Sequence, residues 1–271
     1  YKQRNLETWQ QETGYHIPLK DIEEVVYRYS SSMYEACMKK PQMAQKNKFV
    51  QYLATGLGNA YPKKLLSLAK RVEEARSSKN DPWYYPSSRE DGNTTLDLLL
   101  CEVDELEQYF VDNVGNDSFY VKRLQLQRVR LLFSLGRYAD CIELWEHEVQ
   151  HWDTNELMHS MIKDYIAGAY QHLGKETIAR QYYLEQGHYQ TLAEWSSSRT
   201  GNYAAFVREM YDFNPDCADI VAPVMQYDLC DYYRQSSDVL SDYYEVMQYI
   251  LRTHRSSDMS IWYYTAAYLE D

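Results

Sequence analysis

The sequence predicts an all-α protein built as stacked antiparallel helical hairpins, with almost no strand. Apolar residues recur at three- and four-residue intervals along most stretches bounded by proline or glycine, the period of a helix with one buried face. Residues 121–187 also divide into two consecutive halves of one design. VKRLQLQRVRLLFSLG turns at Gly136 into RYADCIELWEHEV, and MIKDYIAGAYQHLG turns at Gly174 into KETIARQYYLEQG. Within each half a small residue, Cys141 or Ala179, stands five positions after the turn glycine, and an aromatic, Trp145 or Tyr183, four positions later. The small residue lets the two helices of a hairpin approach closely. The aromatic fills the groove against the next hairpin.

Residues 1–17 carry little pattern and are set apart as an N-terminal segment. A helix is expected from Pro18, a residue suited to the first helical position. PLKDIEEVVYRYSSSMYEACMKK puts Ile22, Val25, Val26, Tyr29 and Met33 on one face, and Pro41 stops it. A second helix carries Phe49, Val50 and Leu53 and ends near Gly56 and Gly58. A third starts at Pro62 with Leu65, Leu66, Leu68, Ala69 and Val72 as its stripe. Lys63, Lys64, Lys70 and Arg71 are read as its solvated face.

Residues 77–93 read as a loop, from Pro82, Pro86, Gly92 and their Ser, Asn and Asp content. Trp83, Tyr84 and Tyr85 form an aromatic knot inside it. Two readings stand: the knot plugs a groove between hairpins, or it is a ligand platform. The helix from Thr95 to Asn113 buries Leu96, Leu99, Leu100, Val103, Leu106 and Phe110. Its polar side is acidic, with Asp97, Glu102, Asp104, Glu105 and Glu107, and is read as solvated. Residues 18–113 are therefore an N-terminal helical region, and 114–271 a run of repeats continuous with it. After the two central hairpins, Gly201, Phe206 and Met210 repeat the five-and-four spacing in a degenerate third. A further helical pair flanks Ser236 and Ser237, with Pro223 kinking or delaying its first member. The segment IWYYTAAYLED would open another hairpin. The chain starts at Tyr1 without an initiator Met, so a piece of a longer protein is expected.

Composition bounds the function. The net charge of −12 argues against nucleic acid and anionic membrane surfaces. No apolar run approaches the roughly 18 residues that span a bilayer, so no membrane insertion is expected. The cysteines, at 37, 101, 141, 217 and 230, are odd in number and widely spaced. That is no disulfide framework or zinc ribbon, and buried reduced thiols are expected. The 28 tyrosines are far more than a core requires; many should pack between helices, and others should line a concave surface.

The two central halves resemble tetratricopeptide repeats over residues 121–187. The likeness has departures. Gln125, Arg128 and Val129 stand where that pattern has its early Trp and Leu-Gly pair, while Ile166, Ala167 and Tyr170 fit better. Asp153 and Thr191 replace the closing prolines. The turn glycines at 136 and 174 lie 38 residues apart, against a usual period of about 34, with the extra length in the link at Trp152-Asp153-Thr154-Asn155. More loosely, IPLKDIEEVVYRY, NDPWYYP and LFSLGRYADCIELW resemble a group of large, exported bacterial repeat proteins of unassigned activity. That second likeness implies an extracytoplasmic binding role and adds no catalytic residue.

One motif bears on catalysis. His147-Glu148-Val149-Gln150-His151 matches H-E-x-x-H, which on a helix presents two imidazoles to zinc beside a general base. The extended form fails, because Thr154 and Leu157 replace its glycine and third histidine. A third ligand would come from Glu156, His159, Glu176 or Glu185. The same helix is already accounted for by Cys141, Trp145 and Val149 as its packing face, which leaves the histidines at the flank. The sequence shows no Gly-rich phosphate loop and no G-x-S-x-G.

The reading is a non-catalytic binding or scaffold module without a cofactor or metal, holding a protein or peptide partner on a concave helical surface. In tetratricopeptide-like arrays the first helix of each hairpin lines that face, which implies Gln127, Arg130, Lys163 and Tyr170; Trp83, Tyr84 and Tyr85 are the loop candidates. A carbohydrate or small-ligand site built from Tyr and Trp surfaces is the alternative, and a zinc hydrolase the third reading. An aromatic pocket with few charges would favour sugar; zinc on three protein ligands would favour the enzyme.

Overall fold

The computed structural model describes residues 1–14, 16–55, 60–80, 89–188, 248 and 252. All the regular structure among them is helical, with no strand. The chain divides into two units, Tyr1–Gly174 and Lys175–Asp271.

In the first unit one helix, α7 (Phe119–Ser134), is the centre. It packs against α5 (Ala60–Asn80), α6 (Arg89–Val114), α8 (Tyr138–His147) and α9 (Leu157–His172). A helix surrounded in this way cannot keep one polar face in water, and Tyr120 through Gln127 are all buried. The sequence VKRLQLQ tolerates this because each buried polar group finds a partner. Lys122 Nζ pairs with Glu156 at 2.5 Å and with Asp117. Gln125 Nε2 donates to Glu107 at 2.7 Å and to Glu148 at 3.0 Å.

Helices α5, α7 and α9 lie side by side; α6 packs on α5 and α7, and α8 on α7 and α9. Leu65, Leu66, Leu68, Val72, Leu96, Leu99, Val103 and Phe110 are buried as the periodicity predicts. At Gly136 the backbone turns with φ +77°, a conformation that costs a side chain dearly. The Arg137 N–H reaches back to the Leu132 carbonyl at 2.9 Å and the Gly136 N–H to Phe133 at 3.1 Å, closing α7 with a two-bond cap. Cys141 and Val149 are then fully buried, and Trp145 is 4% exposed. Of the other described cysteines Cys37 is buried and Cys101 exposed.

The N-terminal third departs from expectation. Residues 1–17 contain a helix, α1 (Lys2–Glu12), held by Leu6 and Trp9. Trp9 meets the Phe49 and Phe119 rings edge-on, at 5.8 and 4.9 Å between centroids. The single helix expected over 18–40 is two. Pro18 stands just before α2 (Leu19–Glu23), which runs into one π turn over Glu24–Arg28. The chain then extends at Tyr29, and Ser30 caps α3 (Ser31–Lys39) by accepting from the Met33 N–H at 3.2 Å. This break resets the helical phase, so Met33 is 48% exposed while Tyr34, Cys37 and Met38 turn inward. Asn47 caps α4 (Lys48–Ala54) through bonds of 3.0 Å from the Phe49 and Val50 N–H groups.

The expected solvated faces are also corrected. Lys70 is only 4% exposed. Arg71 pairs with Glu102, and Arg128 with Asp104 and Glu107, so acidic side chains of α6 meet cations from its neighbours rather than water alone. Helices α5 and α6 extend into the expected loop at both ends, to Asn80 and from Arg89.

In the second unit, α10 (Glu176–Glu185) buries Ala179 and Leu184. The expected hairpin at Gly201, the pair around Ser236 and Ser237, and the last segment lie outside the described residues.

Candidate functional site

A cleft of about 210 Å³ lies inside the first unit, between the N-terminal elements and the row formed by α5, α7 and α9. Trp9 and Asn5 of α1, and Val26 and Tyr27 of the π turn, form one wall. Its apolar lining includes Leu65, Leu66 and Ala69 of α5, Leu126 of α7, and Met158 and Met161 of α9.

The charged lining is mostly cationic, with Lys70, Arg123 and Arg130 beside one carboxylate, Glu73. Lys70 Nζ donates to the Val26 carbonyl at 2.6 Å and lies 3.9 Å from Glu73. Val26 sits in the last turn of its helix, where carbonyls lack intrahelical partners, so the lysine both caps that end and offsets its partial negative charge. Burial lowers the Lys70 pKa. Arg123 is buried and its NH2 group donates to Asn5 Oδ1 and Thr8 Oγ, both at 2.8 Å. Its guanidinium covers the Phe119 ring at 3.6 Å and faces Trp9 at 5.2 Å. Burial pushes its pKa down to about 9, a charge held by neutral groups and ring faces. Arg130 donates to Gln127 Oε1 at 3.3 Å. Next to the cleft, Arg76 donates from Nε to Ser134 Oγ at 2.9 Å and stands over the Tyr165 ring at 5.5 Å.

Of the residues expected on the binding face, Gln127 and Arg130 line this cleft. Tyr170 is buried and its hydroxyl donates to Glu146 at 3.3 Å, which ties α9 to α8. Lys163 is half-buried and acts electrostatically on His159, away from the cleft lining. Trp83, Tyr84 and Tyr85 lie outside the described residues. Sequence reasoning missed Lys70, Arg76, Arg123, Met158, Met161 and Tyr165. The MHSMIKDY run held a signal for the last three, since Met158, Met161 and Tyr165 recur at helical spacing beside the buried Ile162.

A second, more open groove of about 670 Å³ runs over α3, α5 and α6. Its polar groups are matched to one another. Ser67 donates to Glu35 at 2.6 Å, Arg71 binds Glu102, and Tyr34 donates to the Lys63 carbonyl at 2.9 Å. The Lys64 ammonium covers a face of Tyr109 at 3.9 Å.

The H-E-x-x-H stretch is not one helical turn. Helix α8 stops at His147, Glu148 leaves helical geometry at φ −127°, ψ −65°, and Val149–His151 form a separate 3-10 turn. Both histidines are exposed. Glu148 accepts from Gln125; desolvation first, then Glu107, raises its pKa. Glu156 is engaged by Lys122, and His159 packs against Trp145 at 4.9 Å with its pKa lowered by burial. Among the described residues no three His, Cys, Asp or Glu side chains are grouped to hold a metal. None of the described helices is long and apolar enough to cross a membrane.

No protein-family model, curated protein or solved structure matches the chain.

Proposed function

We propose that the chain is a non-catalytic binding module of tetratricopeptide-like hairpins that holds a protein or peptide partner in the cleft beside α5, α7 and α9. The observation that carries this reading is the cleft's lining: an apolar floor with two methionines, rimmed by amide, phenol, ammonium and guanidinium groups and one carboxylate, Glu73. Methionine adapts its shape to varied partners. The volume of about 210 Å³ falls below the roughly 300–1,000 Å³ of small-ligand pockets and suits one or two side chains of a partner. The carbohydrate alternative draws less support, because in the larger groove Lys64 already covers a face of Tyr109 and the Tyr34 hydroxyl is already bonded.

Selection of peptides from a random display library on the intact chain tests the reading. Selected peptides should bind the parent and lose about tenfold or more in affinity on Met161→Glu, as expected for an anchor pocket. The exposed-site variant Lys20→Glu should bind as the parent does. Peptides that bind Met161→Glu undiminished, or a library that yields none, would count against the cleft as the binding face.

A further inference from the structure

Among the described residues of the first unit five arginines are buried or half-buried: Arg71, Arg76, Arg123, Arg128 and Arg130. Two have carboxylate partners, Arg71 with Glu102 and Arg128 with Asp104 and Glu107. The other three have no ion pair among the described residues; Arg123 and Arg130 line the cleft and Arg76 stands beside it. In a chain of net charge −12 carboxylates are abundant, yet Glu12 and Glu73 act on Arg123 and Arg76 without pairing directly with them, and that lack of direct pairs calls for a reason.

Arg123 is consumed structurally. Its bonds to Asn5 and Thr8 tie α1 to α7, and ring faces cover it. Arg76 and Arg130 differ. Arg130 and Ser134 are four residues apart on α7 and so lie one above the other on one face. Arg76 reaches that face from α5 by its bond to Ser134 and stands over the Tyr165 ring, near enough to Arg130 for the two charges to act on each other. Burial lowers the Arg76 pKa; Tyr165 and, more weakly, Glu73 offset this in part, while Arg130 lowers it further, as two like charges in proximity must. Arg76 uses Nε toward Ser134 and also bonds the Tyr165 hydroxyl, Arg130 uses NH1 toward Gln127, and a guanidinium carries five N–H donors. Donors therefore remain in a fork geometry that matches a carboxylate. Leu126, Met158 and Met161 line the same cleft.

We propose that the occupant is an acidic peptide segment, with the carboxylate of an Asp or Glu side chain between Arg76 and Arg130 and a neighbouring apolar side chain against Met158 and Met161. This rests on the binding-module reading and names its ligand chemistry. The acidic remainder of the chain does not oppose it. A local cationic spot in an acidic surround admits a partner whose negative charge falls at that spot and repels one whose charge falls elsewhere.

The test uses positional-scanning peptide pools, with one position fixed and the others random, and reads binding to the intact chain by fluorescence anisotropy. Pools fixed as Asp or Glu should bind about tenfold more tightly than pools fixed as Asn or Gln, with the margin shrinking as salt rises. Arg130→Gln should abolish that margin while pools fixed as Leu or Met still bind. Arg130→Glu should reverse the preference toward Lys and Arg pools, a gain that a misfolded variant cannot produce. If pools bind and lose binding on Met161→Glu, yet Arg130→Gln keeps the acidic margin or Arg130→Glu shows no reversal, the acidic-peptide assignment fails and the module reading stands. If no pool binds the parent, both fail.

Discussion

Replacing Cys141 by leucine tests the packing logic of the α7–α8 hairpin. Cys141 is fully buried, its Sγ lies 3.8 Å from the Val129 carbonyl, and Val129 is itself fully buried. Leucine adds apolar bulk at that crossing. Were there room, burial of about 0.8 kcal/mol per methylene would make the variant more stable. Were the helices already in contact, overpacking would cost about 1–3 kcal/mol. The Sγ contact favours the second outcome. Cys141→Ala serves as control: it removes one atom and should cost less than the leucine does. With a urea slope of about 1–3 kcal/mol/M, a 2 kcal/mol loss moves the midpoint down by about 1 M, readable by far-ultraviolet circular dichroism on the intact chain. A Cys141→Leu protein as stable as its parent, or more so, would refute the close-approach role of this position.

Two further outcomes follow from the charges around α7. Arg128→Ala should leave Asp104 and Glu107 without their shared cation and lower stability by about 1–3 kcal/mol, since a half-buried ion loses its partner; an unchanged melting temperature would show that the pairs contribute nothing. Glu148 has a folded pKa above its unfolded value, so its ionised form opposes folding at neutral pH, and protonation as the pH falls through the carboxyl range relieves that cost. Glu148→Gln should therefore unfold at higher denaturant than the parent at pH 7, with the difference narrowing toward acid pH; equal stability at pH 7 would contradict the assignment. The same variant addresses catalysis. One tightly held zinc per chain after dialysis, with peptidase activity that disappears in Glu148→Gln, would overturn the non-catalytic reading.

What the sequence made legible was whatever a single helix encodes in its own period. The stripes of α5 and α6 announce themselves because each of those helices buries one face, and the turn at Gly136 does so because only glycine takes φ +77° at little cost. The Cys141 and Trp145 pair was readable for the same reason: both residues serve one local crossing. Helix α1 was not, because Leu6 and Trp9 are its only buried residues among polar ones. Trp9 packs on Phe49 and Phe119, which local periodicity does not see. The break at Ser30 had a signal in its serine run, but the apolar spacing on either side continued smoothly enough to hide it.

The same reasoning explains why the cleft was only half legible. Gln127 and Arg130 were reachable because they sit on a helix whose place in its hairpin the repeat spacing set. Lys70 was read as solvated because lysine ordinarily is. Its burial follows from the end of the π turn, where the Val26 carbonyl needs a donor and Lys70, 44 residues away, supplies one. Arg123 is joined to Asn5 across 118 residues. A helix like α7, enclosed on all sides and yet rich in Lys, Arg and Gln, gives no amphipathic stripe to read. Its polar residues are assigned by what the surrounding helices offer them. Lys122 and Arg128 receive carboxylates, Arg123 receives amide, hydroxyl and ring faces, and Arg130 bonds only Gln127 among the described residues. That inequality of partners along one helix exists only in the folded chain, and under the proposed reading it separates the cation offered to a ligand from those that hold the fold together.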